Sequence, residues 1–89
     1  MGDWVGGNLQ EMARLADAFR TNASEVKDLV VELTNVVHGA WWKGPDAEKF
    51  RSDWDATHRM ALTKLAESLA SAEEEIRRQA EGQRRVSEG

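Results

Sequence analysis

Apolar residues in the first half of the chain recur with one rhythm: Leu9, Met12, Ala16, Phe19, Ala23, Val26, Val30, Leu33 and Val37 step by three and four in alternation. That is a heptad seam, and it predicts an α-helix with one face committed to a neighbour. Asn8 followed by Glu11 reads as an N-cap with a capping-box acid, and Gly39 as a C′ stop, so the spacing predicts a helix over about residues 9–38. Gly44 and Pro45 restart the pattern, with Asp46 and Glu48 suited to the positive end of a helix dipole. A second helix is predicted over about residues 45–82, its seam reading Ala47, Phe50, Trp54, His58, Leu62, Leu65, Leu69, Ala72 and Ile76. The successive steps of four from Trp54 to His58 to Leu62 are a stutter, which locally unwinds a supercoil. Residues 1–7 and 83–89 read as loose ends, and the connection over 39–44 is short enough to fold the helices back antiparallel. The predicted fold is all-α: a single-domain antiparallel helix-turn-helix hairpin.

The apolar account of such a hairpin does not close. Leu15, Leu29 and Val36 lie beside the first seam, with Val31 in addition, which makes the stripe wider than one neighbouring helix covers. A chain of 89 residues has little core to spare, and without cysteine it has no disulfide or thiolate-bound metal to staple it. Pairing two hairpins into a four-helix bundle covers the excess. Leu9, Met12, Phe19, Val26, Val30, Leu33, Val37, Phe50, Trp54, Leu62, Leu65 and Leu69 are the predicted core of hairpin and dimer.

Charge and chemistry narrow the functional classes. Twelve Lys and Arg against sixteen Asp and Glu give a net charge of −4, which disfavours a phosphate-neutralising surface. Arg77, Arg78 and Arg85 each follow Glu73, Glu74 and Glu81 by four residues, the order that forms helical ion pairs, so the arginine-rich tail reads as a solvated face; RNA binding is the lesser alternative. His38 and His58 are separated along the hairpin by roughly 20 Å at 1.5 Å per residue, too far to share a metal ion. Ser24, Ser52, Ser68, Ser71 and Ser87 stand singly with no visible base, and Asp53 and Asp55 face apart on a helix, so no catalytic residues, metal or cofactor are expected. No run reaches membrane-spanning length, and "MGDWVGGNLQ" lacks the basic and apolar regions of a Sec signal peptide.

"AWWKGPDAEKF" then sets Trp41, Trp42 and Gly44 at the break between the helices. Neighbouring residues in a tight connection face different ways, so one indole is expected to close the bundle end and one to anchor another chain. Trp42-Lys43-Gly44 in mid-chain, with Ala47, Phe50 and Trp54 stepping down the following helix, resembles the WXG family (the ESAT-like or "WXG-hundred" family) of type VII, or ESX, secretion substrates over about residues 8–80. The run "WWKGPDAEKFRSDW" is similar to actinobacterial members in particular.

The resemblance implies that the protein is made in the cytoplasm and leaves folded through the ESX machinery, to be secreted or held at the cell surface. It implies antiparallel pairing of hairpins, either with itself or with a WXG-family sibling. It also implies recognition by the type VII secretion ATPase, through the Trp loop together with a Tyr-x-x-x-Asp/Glu motif in the second helix. This chain has no tyrosine. The looser tail pattern falls on Leu69, Glu73, Ile76 and Ala80, a spacing any amphipathic helix meets. Either a sibling supplies the signal in a heterodimer, the reading favoured here, or Leu69 and Glu73 serve as a degenerate one. A cytosolic helical dimerisation or regulatory module that is never exported is the alternative from another class.

Overall fold

The computed structural model describes the backbone of residues 2–88 and the side chains of 9–86. The chain is helical on both sides of a single break: α1 spans Gly2–Gly39, α2 spans Pro45–Asp53, a five-residue π-helical turn occupies Trp54–His58, and α3 spans Arg59–Glu88. No strand occurs among the described residues.

Three cross-links fix the topology. Asp17, far from the break on α1, bonds to Arg77, whereas Thr34 and His38, close to the break, bond to Trp54 and Asp55, so the two limbs run antiparallel. The product is a rod of 66 × 17 × 15 Å.

The break forms as its residues dictate. Gly44 adopts φ 111°, a backbone region that costs other residues a Cβ clash. Pro45 follows at the first helical position, Asp46 and Glu48 lie in the first turn, and the Glu48 N–H donates to the Gly44 carbonyl at 3.1 Å. The stutter sits where the helix changes character: the Arg59 N–H reaches back to the Trp54 carbonyl, a wide π turn. One extra residue per turn absorbs the two consecutive steps of four and keeps Trp54 and Leu62 on the same side.

Both outer ends differ from the predicted bounds. The first helix begins at Gly2 rather than near residue 9, and the last runs to Glu88 rather than ending near 82. Asn8 lies inside α1, so it is no N-cap and Glu11 completes no capping box; the Glu11 carboxylate pairs with Arg14 at 2.7 Å. Extending a formed helix adds one hydrogen bond for each residue fixed, so helix continues past a weak stop. Gly82 is absorbed in the same way, for about 1 kcal/mol relative to alanine, beside an Arg84–Glu81 ion pair of 2.7 Å. Gly39 also differs from expectation. Gly44 is the one glycine with positive φ among the described residues, so α1 ends without a left-handed glycine cap.

Small residues carry the helix-to-helix contact. Ala16, Ala47 and Ala66 are 0% exposed and Ala23 nearly so, while Trp54, at 7%, is the one large side chain buried among the described residues. Alanines at the closest approach let the backbones draw together and push the larger neighbours to the edges of the contact. Leu9, Met12, Phe19, Val26, Val30, Leu33, Val37, Leu62 and Leu69 are accordingly half-buried, and the predicted core members Phe50 and Leu65 are exposed in the hairpin.

The Asp17–Arg77 clasp, 2.9 Å long, joins the limbs through charge. The hydrogen bond from Arg77 dominates and, helped by the lesser pull of the Arg77 and Arg20 charges, holds the Asp17 carboxyl below its ordinary 3.8 against the opposing effect of desolvation. A lowered folded-state value means the clasp stabilises fully above 3.8 and fades as pH falls through the lower folded value. Thermal melts of Asp17→Asn are expected to show a small deficit against wild type at neutral pH that vanishes in acid. A deficit independent of pH contradicts the assignment.

Candidate functional site

Two features stand out from this frame: an apolar face that the hairpin leaves uncovered, and an aromatic tip.

Along α1 the positions Leu15, Asn22, Leu29 and Val36 recur every seven residues, and all four are exposed. Beside them run the half-buried Phe19, Val26 and Leu33, so the two rows together form a second seam stepping by four and three. On α3 the matching row is Leu62, Leu65, Leu69, Ala72 and Ile76, with Leu65 exposed. At 3.6 residues per turn, and with the limbs antiparallel, both rows fall on the same side of the rod. Val31 and Met60, also exposed, lie away from it. Towards the tip the face deepens into an open groove of about 440 Å³ lined by Phe50, Trp54, His58, Ala61 and Leu62.

At the tip, Trp41 is 88% exposed, while Trp42 leans on Phe50 with ring centroids 5.8 Å apart and planes tilted by 49°. The two indoles thus part company, Trp42 partly packed and Trp41 projecting, and both are exposed in the hairpin. Arg51 holds the loop from behind, its guanidinium donating to the carbonyls of Val37, Ala40 and Trp42 at 3.0, 2.9 and 3.0 Å. His38 Nε2 lies 3.0 Å from Asp55 Oδ1, tying the end of α1 to the π turn. Trp54 donates its indole N–H to Thr34 Oγ1 at 3.0 Å, and its ring lies 6.3 Å from that of His58. Lys49 bonds Asp53 at 2.7 Å, and that hydrogen bond, reinforced by charge, holds the Lys49 ammonium above its ordinary range.

The tail positions have different neighbours. Leu69 and Ile76 belong to the uncovered face, whereas Glu73 bonds Arg77 at 2.7 Å, keeps only 17% of its side chain exposed, and is drawn through Arg77 into the clasp with Asp17. Ala80 shares a groove with Leu9 and Met12 of α1. The four positions share one stripe of α3, and Glu73 and Ala80 are engaged within the hairpin. His38 bonds Asp55, which shares the π turn with His58, so the two histidines lie at a similar level of the rod rather than far apart along it, and each has a neighbour of its own, Asp55 and Trp54. Trp4 lies outside the described side chains.

Sequence reasoning missed Arg51 altogether. Its partners are backbone carbonyls, which leave no signature in side-chain spacing. No helix among the described residues is long and apolar enough to cross a membrane. Comparison with protein-family models, with curated proteins and with solved structures returns no match.

Proposed function

We propose that the protein is a small non-enzymatic hairpin of the WXG type, exported through type VII secretion as one half of a four-helix bundle. The observation that carries this reading is the uncovered face: Leu15, Leu29, Val36 and Leu65 line one side of the hairpin and stay wet without a second hairpin against them. The heptad spacing of both rows suits helices as the covering elements. The partner is a sibling hairpin or a second copy, laid antiparallel so that the tip of one chain meets the tail of the other. Trp42, Gly44 and Trp41 then form a junction with the partner's tail, the surface read by the secretion ATPase. The engagement of Glu73 within its own hairpin, together with the absence of tyrosine, favours a sibling that supplies the tail signal.

Export is the test. The chain is expected in culture fluid when the type VII ATPase is intact and to be retained when it is not. Trp42→Ala is expected to reduce export or partner binding about tenfold or more, as an interface anchor does when truncated, with Trp4→Ala near wild type. Equal and negligible effects of the two substitutions contradict the role of the tip. Retention of the wild-type chain in every background contradicts export and favours the cytosolic dimerisation module, which uses the same face.

A further inference from the structure

The geometry points to Arg51 as the positioning residue of the aromatic tip: its guanidinium clamps the end of α1 and the loop so that Trp42 stays on Phe50 and Trp41 projects. This deepens the proposed function, since it rests on the tip being a recognition surface.

A helix ends with carbonyls that have no intrahelical donor, and a left-handed glycine normally helps to satisfy them. Here Gly39 does not take that conformation. Instead the Val36 carbonyl receives the Ala40 N–H at 2.9 Å, and the next carbonyl, that of Val37, receives Arg51 Nε at 3.0 Å. Arg51 Nη2 then bridges the Ala40 and Trp42 carbonyls at 2.9 and 3.0 Å. The residues so tied lie fourteen, eleven and nine positions upstream, which makes Arg51 the pin of the whole connection. Its side chain is half-buried; the bond to Val37 is partly shielded from competing water, while those to Ala40 and Trp42 are exposed.

Position and chemistry both matter. Phe50, on which Trp42 rests, immediately precedes Arg51, so one turn of α2 supplies both the platform for the ring and the clamp for its backbone. A planar fork with fixed donor directions reaches three carbonyls at once, whereas the compact ammonium of lysine does not reproduce that set. A loop held in its bound conformation before the partner arrives avoids the ordering cost of association. Loss of the clamp therefore weakens recognition while both helices remain.

The test uses the full chain. Indole N–H signals and Trp42–Phe50 ring cross-peaks are followed by NMR in wild type, Arg51→Ala and Arg51→Lys, with the Trp54 signal reporting that the hairpin is folded. Both variants are expected to shift the Trp42 signal and lose the ring cross-peaks, leave Trp54 in place, and lower export about tenfold, the scale of the ordering cost for loop side chains. Retained cross-peaks in both variants overturn the clamp. Export unchanged in both variants, while Trp42→Ala abolishes it, overturns the positioning role. Normal export of Trp42→Ala itself overturns the recognition reading of the tip, an outcome separable from the first because the NMR readout does not depend on export.

Discussion

Trp54→Ala is expected to destabilise the hairpin by about 3–5 kcal/mol, the range for deleting a buried aromatic side chain. Trp54 is the one large residue buried between the limbs among the described residues, and it sits at the start of the π turn, where the helix is already wound off its regular register. Small domains hold only about 5–15 kcal/mol of net stability, and a chain with an alanine-lined contact belongs at the low end, so the variant is expected to be largely unfolded or strongly concentration-dependent. The indole also donates to Thr34 at 3.0 Å. Thr34→Val isolates that component and is expected to cost about 1 kcal/mol, a typical net hydrogen-bond contribution. Urea titrations followed by far-UV circular dichroism measure both. A loss for Trp54→Ala no larger than for Thr34→Val contradicts the packing role.

Leu29→Lys is expected to weaken association more than about a hundredfold while leaving the isolated hairpin helical, because burying an unpaired ammonium in an apolar contact costs several kcal/mol and each 1.4 kcal/mol is tenfold. Leu29 is 44% exposed in the hairpin, so little internal packing is lost. The new lysine follows Glu25 by four residues, an order that supports the helix, which separates a pairing defect from a folding one. Val31→Glu is the matched control. Val31 is exposed on another side of α1, and the glutamate gains Lys27 four residues before it. Sedimentation of the two variants is expected to show dissociation for the first and wild-type behaviour for the second. Identical behaviour removes the assignment of the pairing surface to one face.

Much of this frame is legible from residue types alone. Period and breakers act locally, so the two limbs, the Gly44–Pro45 restart and the irregular turn at Trp54–His58 follow from spacing. The width of the apolar stripe likewise points to the row Leu15, Leu29 and Val36 that the hairpin leaves exposed. Depth is not legible in the same way. Periodicity tells which side of a helix turns inward but not how closely the backbones approach, and here alanines set that distance, leaving Phe50 and Leu65 outside. Helix ends mislead for a related reason: Asn8 and Glu11 have the spacing of a capping box, but the helix propagates through them from Gly2. The clamp at the tip is the least legible element, since Arg51 is defined by carbonyls that every residue carries.

The mass of the purified chain in solution, measured by sedimentation equilibrium at micromolar concentration alone and mixed with a sibling hairpin, tests the central claim most directly. The account predicts a folded species of twice the 10.0 kDa chain mass, or a one-to-one complex with the sibling. A stably folded 10.0 kDa monomer that ignores the sibling would contradict it.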